Sequence, residues 1–340
     1  MLKTKYTRRE YLKVLGGLCL CSTIPKFFIT PAVAQNRRNL QKVQKALPLM
    51  STYVDITIYD ESRERAYAAM EQAFNKIKEL IAIFDRFDNN SHVSYLNKYK
   101  RLTEAPYELK EVLKISKKVG EITSYKFDIT ILPLLEEVEK EIKVHGPFLE
   151  PKRLAEITPY IGWENLKING NKIELSAESK ITLDGIAKGY IVDQAVDVLR
   201  KNNISHAIID AGGDIRALGG KTENMAWNIG IENPDGSGSV LKTVKLKDMA
   251  IATSGNYRNF FDKSKRFFHI IDKKGAISPQ YISSLSVISR SACVADGLAT
   301  GLYLFPPAKV ISLANNYNIP VMIITTGNNI FTSNKWDNFA

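Results

Sequence analysis

The amino-acid sequence predicts an α+β protein in which mixed, mostly antiparallel sheets pack against helices. Two observations predict this class. Alternating strands and hairpin turns occur along most of the chain, and two long helical patterns follow one another in its first half instead of alternating steadily with strands. With 340 residues, of which 44% are hydrophobic and 24% charged, the chain has the composition of an ordinary globular protein that can bury a large core.

Residues 1–34 have the features of a secretory signal peptide of the twin-arginine type. Arg8 and Arg9 precede a weakly apolar stretch, and the small residues at 32–34 form a cleavage site. The apolar stretch is too short for a transmembrane helix and is interrupted by Pro25. We therefore expect an exported protein of the periplasm or another extracytoplasmic compartment. The alternative is a basic amphipathic helix that matches a signal by chance.

The cysteines agree with export. Cys19 and Cys21 lie inside the predicted signal, so that cleavage leaves only Cys293, which cannot form an intramolecular disulfide. A lipoprotein anchor is the less favoured alternative, because Leu18 and Leu20 stand where a small residue is expected before each cysteine.

The charge of the chain does not indicate a nucleic-acid partner. The net charge of +11 falls to +6 without residues 1–34, which carry six basic side chains and one acidic one. No repeat of basic and aromatic residues follows in the rest of the chain. We therefore expect a solvated basic surface and no nucleic acid as partner.

The first elements follow from the periodicity of apolar residues. Residues 35–46 are polar and basic and are expected to form a linker to the body, and alternation predicts a strand over 50–60. Helical spacing predicts helices over 63–87 and 107–124, and a polar corner at 88–97 ends the first of them.

The second half of the chain contains more strands. Residues 163–176 form a predicted hairpin with Asn169 and Gly170 at its turn. A β-branched run ends at Thr182, where a strand is expected to meet a helix that begins near Lys188. The remaining predicted elements are strands over 206–219, 227–234, 249–255, 266–272 and 285–289, and a helix from 291 to 305.

Several common enzyme classes lack support in the sequence. There is no phosphate-binding lysine loop, no glycine fingerprint for dinucleotides and no serine elbow. The four histidines are scattered, and no two of them share a helical face, which argues against a zinc site: they are His92, His145, His206 and His269.

Five short segments instead place glycine, aspartate, threonine or serine at the ends of predicted strands. They are 184–189, 210–216, 253–261, 269–272 and 295–300. Each segment alone has an ordinary structural explanation: a double glycine between acids is more often a tight turn, and a histidine on a strand is usually a core residue. The five together, without a zinc site or a catalytic triad, favour a functional site.

Two of these segments suit a phosphate ligand and a metal ion. Backbone N–H groups at the start of a helix, with Lys188 as a mobile cation, can bind a phosphate or pyrophosphate. Asp296 and Thr300 are four residues apart and share one helical face, where a carboxylate and a hydroxyl suit Mg²⁺. The alternative for this pair is a solvated helix face.

Taken in order, the motifs resemble the FAD:protein FMN transferase family, also called the ApbE family. They are FDNNSHVSYLN, YKFDIT, DGIAKGYIVD, DAGGDIRALG, TSGNYRNFF, HIID and ADGLATGLYLF. The resemblance covers residues 47–335, so that we expect one transferase domain over 47–340 after the signal peptide and the linker.

The resemblance implies a T-fold-like enzyme that uses Mg²⁺ to cleave FAD. It would attach FMN through a phosphoester bond to a threonine of a target flavoprotein and release AMP. The implied partners are FAD, this acceptor flavoprotein and subunits of membrane-associated redox complexes.

The resemblance also implies roles for individual residues, carried over by position. The implied metal ligands are Asp296 and Thr300, with the backbone of Gly185 and Ala299. The implied contacts with FAD are Met50, Phe87, Lys126, Phe127, Asp128, Thr182, Lys188 and Ile270. His269 is the candidate catalytic residue for proton transfer, and a structural role for its ring is the alternative.

The sequence departs from the family pattern at several of these positions. The usual acid is replaced by Thr182, and an acid appears two residues later at Asp184, which leaves the adenosine contact at 182 open. Ser51 stands where glycine is common, Lys273 where proline is usual, and Phe87 where tyrosine is frequent.

Three hypotheses of different classes remain. The first is an exported flavin transferase that matures redox flavoproteins. The second is a periplasmic protein that binds FAD or hydrolyses its pyrophosphate without transfer to a protein. The third is a basic scaffold protein that binds no flavin.

Overall fold

One large antiparallel sheet organises the protein, whose computed structural model describes residues 39–144, 149–256 and 267–340. The predicted signal peptide at 1–34, His145 and residues 257–261 of the 253–261 segment lie outside the described residues. None of the described helices is long and apolar enough to cross a membrane.

The described strands, in chain order, are β1 (Gln41–Leu49), β2 (Thr52–Asp60), β3 (Arg101–Leu102), β4 (Leu166–Asn169), β5 (Lys172–Leu175), β6 (Ala207–Ala211), β7 (Asp214–Leu218), β8 (Trp227–Glu232), β9 (Val240–Leu246), β10 (Ala250–Gly255), β11 (Ile282–Ser289), β12 (Val321–Thr325) and β13 (Ile330–Thr332). The described α-helices are α1 (Arg63–Phe84), α2 (His92–Tyr99), α3 (Tyr107–Ile122), α4 (Leu132–Val144), α5 (Pro151–Ile157), α6 (Ala187–Lys201), α7 (Ala292–Leu302) and α8 (Pro307–Asn316).

Among the described residues, the main sheet has eight strands in the order β1-β2-β6-β7-β10-β11-β12-β13, and its neighbouring strands are antiparallel. A three-stranded sheet (β3-β5-β4) and the β8–β9 ribbon complete the strand pairing that the structure describes. This arrangement confirms the predicted α+β class with mostly antiparallel sheets.

The main sheet is covered on both faces, and its side chains alternate between two hydrophobic clusters. In β12, Val321 and Ile323 pack into the larger cluster with helices α1, α6 and α7, whereas Met322 and Ile324 pack with Trp227 of β8. Because successive side chains of a strand point to opposite faces, a central strand buried on both faces reads as a continuous apolar run.

Helices α6 and α7 touch backbone to backbone under this sheet. A Cβ atom built on Gly189 would lie 2.3 Å from the carbonyl oxygen of Ala292, which no side chain permits. The carboxylate of Asp193 in α6 accepts hydrogen bonds from the backbone N–H groups of Ala292 (2.9 Å) and Cys293 (3.0 Å) at the start of α7. The two helices are therefore fixed against each other in one register.

Most predicted elements are confirmed. The predicted strand at 50–60 is β2, and the helices predicted over 63–87 and 107–124 are α1 and α3. The hairpin at 163–176 is β4–β5. The strands predicted near 227–234, 249–255 and 285–289 and the helix from 291 are β8, β10, β11 and α7.

The predicted linker at 35–46 is wrong from residue 41 onward, because Gln41–Leu49 forms strand β1 at the edge of the main sheet. Of its side chains only Val43 is buried. An edge strand keeps one face and one row of backbone groups in solvent, so that polar and basic residues are favoured there and hide the strand pattern.

The polar corner predicted at 88–97 is also wrong, since His92–Tyr99 forms helix α2. The hydroxyl of Ser91 accepts a hydrogen bond from the backbone N–H of Ser94 (3.0 Å) and caps this helix. Residues that favour turns also favour the N-cap position, which explains why the segment looked like a loop.

The segment 206–219 was predicted as one strand and forms two, β6 and β7, joined by Gly212 and Gly213. Both glycines have positive φ values, 67° and 103°, as the tight turn of a hairpin requires.

Two predicted strands are absent from the described residues. The run that ends at Thr182 is irregular: the side chain of Asn97 pairs with both backbone groups of Ile181 at 2.8 Å, and the N–H of Thr182 donates to Ile129. The 266–272 segment, described from residue 267, is irregular as well, because the hydroxyl of Ser278 binds both backbone groups of Phe268 at 3.0 Å. In both places a side chain makes the backbone hydrogen bonds that a neighbouring strand would otherwise make.

We expect Gly189→Ala to lower the free energy of unfolding by about 3 kcal/mol, because the added methyl group must push α6 and α7 apart. Gly327→Ala is the matched control, since a Cβ there would meet its nearest atom at 3.7 Å. Chemical denaturation of both variants measures the difference. Equal stability of the two would contradict the close contact.

Candidate functional site

Side chains from α6, α7 and β7 meet where the N-terminus of α6 approaches α7. A Cβ atom built on Gly185 would lie 2.9 Å from Thr300 Oγ1, and the backbone N–H of Gly189 donates to Asp296 Oδ2 at 3.2 Å. The ammonium group of Lys188 forms an ion pair with Asp214. Four of the predicted site residues, Gly185, Lys188, Asp296 and Thr300, thus lie in one cluster with Asp214.

This cluster, which we call the carboxylate corner, brings two carboxyl groups close to one ammonium group. Asp214 and Asp296 are buried, with 2% and 7% of their surface exposed; Lys188 forms an ion pair with Asp214, and Asp296 accepts from the backbone N–H of Gly189. Burial and the nearby Asp214 carboxylate raise the pKa of Asp296 well above its ordinary value. A cation bound beside Asp296 would favour the charged form of its carboxyl group.

The pKa of Lys188 is also raised, and for an amine this shift favours the charged form. Burial lowers the pKa of its ammonium group, but the carboxylates of Asp214 and Asp296 outweigh burial, and the net shift is upward. Lys188 is therefore held as a cation, in the protonation state that a phosphate ligand requires.

The donor set of the carboxylate corner fits Mg²⁺ when a ligand supplies further oxygens. No group of three or more His, Cys, Asp or Glu side chains suited to a metal ion occurs among the described residues. The corner offers the carboxylate of Asp296, the hydroxyl of Thr300 and the backbone of Gly185, and Ser254 Oγ lies 3.5 Å from Thr300 Oγ1. Mg²⁺ is commonly bound by one or two carboxylates together with waters and substrate phosphates. Ala299, the fourth implied ligand, is fully buried.

A second group of predicted residues lies against the C-terminal half of α7. A Cβ atom built on Gly301 would lie 2.7 Å from Cβ of Phe127, whose side chain is buried. Ser124 and Tyr125, just before Lys126 and Phe127, have positive φ values of 50° and 55°. Two consecutive left-handed residues without glycine are strained, and strain of this kind concentrates at binding sites.

Two ion pairs join this group to the 267–273 segment. Lys126 pairs with Asp272, and Lys273 Nζ donates to Asp128 Oδ2 at 2.8 Å. The Asp128 carboxylate is 1% exposed and also accepts from the Thr130 hydroxyl at 2.6 Å. The described hydrogen bonds of the Asp128 side chain are therefore made to neighbouring parts of the protein. Its positively charged partner is Lys273, which stands where the family usually has proline.

The 267–273 segment also carries Ile270 and His269. Ile270 is buried, whereas His269 is exposed and its ring centroid lies 6.4 Å from that of Phe268. Phe268 packs edge-on against Tyr303, one residue beyond α7, at 5.9 Å. The segment is thus anchored on the end of α7, near the second group of predicted residues.

Phe87 and Met50 come from two further turns. Phe87 is 74% exposed and carries the guanidinium of Arg86 over its ring, with 4.0 Å between the guanidinium carbon and the ring centroid. Arg86 Nε donates to Asp184 Oδ2 at 2.7 Å. Met50 and Ser51 form the β1–β2 turn with φ values of 54° and 57°, the conformation for which glycine is favoured.

The hydroxyl of Thr182 serves the local turn. It accepts a hydrogen bond from the backbone N–H of Asp184 at 3.2 Å, and the residue is 8% exposed. The acid at 184 is exposed and faces Arg86 instead of the carboxylate corner. Thr182 and Asp184, the two residues that depart from the family pattern here, are thus joined by a hydrogen bond.

Five residues of this region were not assigned roles from the sequence: Arg86, Asp193, Asp214, Ser254 and Asp272. Three of them lie in the five short segments, because Asp214 follows the double glycine, Ser254 lies in the 253–261 segment and Asp272 ends the 269–272 segment. Asp193 ends the motif DGIAKGYIVD, and Arg86 lies just before FDNNSHVSYLN. Both bind residues far along the chain, and no local pattern indicates those partners.

We expect Lys273→Met to lower the free energy of unfolding by about 1–3 kcal/mol, because the buried Asp128 carboxylate loses its cation. Lys274→Met is the matched control, since the neighbouring Lys274 is exposed and should change stability by less than about 0.5 kcal/mol. Urea denaturation of both variants at neutral pH provides the comparison. Equal effects would show that the Lys273–Asp128 pair does not support the fold.

Comparisons with known proteins identify the family and the fold. The model of the ApbE family matches residues 50–323. A FAD:protein FMN transferase of Haemophilus influenzae is 28% identical over 336 residues, which cover 90% of this chain and 94% of that protein. The solved structure of the ApbE protein from Thermotoga maritima superposes with a TM-score of 0.80 at 25% identity, over 88% of this chain and 99% of that one. The flavin transferase ApbE from Vibrio cholerae superposes with a TM-score of 0.74 at 26% identity, over 88% of this chain and all of that one. Since the family model spans most of the sequence, the chain belongs to the ApbE family.

Proposed function

We propose that the protein is an FAD:protein FMN transferase that depends on Mg²⁺. The observation that carries the proposal is the convergence of three side chains around the start of α6: Thr300 lies against Gly185, Asp296 accepts from the N–H of Gly189, and Lys188 pairs with Asp214. Hard oxygen donors beside a half-buried ammonium group suit a ligand with adjacent phosphates and a divalent cation. The name of the Haemophilus influenzae relative supports FAD as this ligand.

The reaction is a phosphoryl transfer. The hydroxyl oxygen of an acceptor threonine forms a bond to the FMN phosphorus of FAD, the pyrophosphate bond to the AMP phosphate breaks, and the threonine proton leaves the hydroxyl. The products are a phosphoester of threonine with FMN, and AMP.

Asp296, Thr300 and the backbone of Gly185 and Ala299 would hold Mg²⁺, which neutralises negative charge on the pyrophosphate oxygens. Lys188 binds the same oxygens from the α6 side, and Asp214 orients its ammonium group. His269, which is exposed, is the candidate to accept the threonine proton.

The FAD contacts are assigned to the residues that flank the carboxylate corner. Phe87, exposed beside Arg86, offers a ring to stack on. On the side of the 267–273 segment, the assigned contacts are Lys126, Phe127 and Ile270. Met50 belongs to the β1–β2 turn, and Thr52, which follows this turn, lies against Gly212.

We assign the mature protein to the periplasm or another extracytoplasmic compartment, after export by the twin-arginine signal at 1–34. The acceptor is a flavoprotein with a target threonine, such as a subunit of a membrane-associated redox complex. Arg8 and Arg9, with the small residues at 32–34, support this assignment.

The decisive experiment incubates the full chain with FAD, Mg²⁺ and an acceptor flavoprotein domain. We expect flavin fluorescence to stay with the denatured acceptor in a gel, and EDTA to abolish it. An acceptor whose threonine is replaced by alanine is the control. Release of FMN and AMP without labelling would replace transfer by hydrolysis of FAD, and no binding of FAD would exclude both.

Asp296→Ala should lower the labelling rate by about 100-fold or more, because the metal loses its carboxylate and transition-state charge is no longer neutralised. The affinity for FAD should fall less, since Lys188 and the ring contacts remain. Asp296→Asn, with nearly the same shape, keeps the packing and tests charge alone. Asp337→Ala, at an exposed aspartate far along the chain, is the control. Full labelling by Asp296→Asn would contradict the metal assignment.

A further inference from the structure

Three side chains form a continuous contact at the edge of the proposed FAD site. Asp184 accepts a hydrogen bond from Arg86 at 2.7 Å, and the Arg86 guanidinium lies over the ring of Phe87 at 4.0 Å. Asp184 immediately precedes Gly185 of the carboxylate corner. The chain of contacts therefore joins the corner to the exposed aromatic ring.

Local hydrogen bonds fix the backbone at both ends of this contact. The carbonyl of Arg86 accepts from the hydroxyl of Ser94 at 2.9 Å, and the N–H of Phe87 donates to Asp85 at 2.9 Å. On the other side, the N–H of Asp184 donates to the hydroxyl of Thr182. The side chains of Arg86 and Asp184 thus span two anchored segments that lie 98 residues apart in sequence.

The exposed fractions of Arg86 and Phe87 indicate that the arginine supports the ring. The Arg86 side chain is only 19% exposed although it is charged, whereas Phe87 is 74% exposed although it is apolar. A guanidinium stacked on one face of a ring favours one ring orientation and leaves the other face open. An exposed aromatic side chain without such support loses more freedom when a ligand binds it.

We propose that Asp184 is a positioning residue for FAD: it holds Arg86, and Arg86 holds the ring of Phe87 as a preformed platform for a planar ring of the substrate. The inference depends on the proposed function, because the platform needs a ligand with an aromatic ring beside its phosphates. It gives a role to the acid that stands two residues from its usual place in the family pattern.

The test measures the dissociation constant of FAD from its fluorescence, with the full chain and no acceptor. Asp184→Asn should raise the constant about fivefold by releasing Arg86 from the ring. Asp184→Glu should restore part of the affinity, because it keeps the charge. Asp197→Asn is the matched control, since it removes a similarly exposed ion pair, with Arg200 in α6, and should leave the constant unchanged.

A double-mutant cycle separates positioning from direct contact. In a Phe87→Ala background, Asp184→Asn should have no further effect on FAD affinity, because no ring remains to be positioned. A fivefold loss in that background would overturn the inference and place Asp184 on the ligand itself. An unchanged constant for Asp184→Asn alone would overturn it as well.

The same measurements distinguish this inference from the proposed function. If the wild-type chain binds FAD and the cycle behaves as expected but no acceptor is labelled, the transferase assignment fails and the role of Asp184 stands. If the acceptor is labelled while the effects of the two substitutions simply add, the role of Asp184 fails and the transferase assignment stands.

Discussion

The arrangement of the site depends on reciprocal capping between α6 and α7. Asp193 of α6 accepts hydrogen bonds from the first N–H groups of α7, and Asp296 of α7 accepts one from Gly189 in the first turn of α6. A carboxylate is stabilised at a helix N-terminus by the unpaired N–H groups and the helix dipole. Because each helix supplies a carboxylate to the first turn of the other, neither can slide along its partner without breaking these hydrogen bonds. The backbone contact at Gly189 allows the approach that this exchange needs.

This exchange explains how the protein keeps two buried carboxylates with one lysine between them. The capping hydrogen bond from Gly189 offsets part of the cost of burying Asp296, and the ion pair with Lys188 does the same for Asp214. Burial and the Asp214 carboxylate still raise the pKa of Asp296, so that its charged form needs a cation in addition to Lys188. A site that holds this carboxyl group in place is preorganised for a ligand that brings positive charge with it, and the hydroxyl of Thr300, one helical turn from Asp296, completes a set of oxygen donors.

Much of the fold could be predicted because it depends on local patterns. Helix α7, with Asp296 and Thr300 on one face, follows from its apolar spacing, and the β4–β5 hairpin follows from Asn169 and Gly170. Strand β1 was missed because an edge strand carries polar residues on its open side. The contacts that assemble the site were missed for another reason: the Asp193–Ser291 hydrogen bond joins residues 98 positions apart, and no periodicity reports such a pair.

Two of the departures from the family pattern each introduce a charge that pairs with an opposite charge. Asp184 and Lys273 place charges where the pattern has none, and each meets an opposite charge from another segment, Arg86 for the first and Asp128 for the second. The two pairs differ in energy: the exposed Asp184 could be solvated without its partner, whereas the 1% exposed Asp128 could not. Stability therefore accounts for the pair with Lys273 but not for the pair with Asp184. A weak surface ion pair that nevertheless holds an arginine over an exposed ring is better explained by what the ring has to bind.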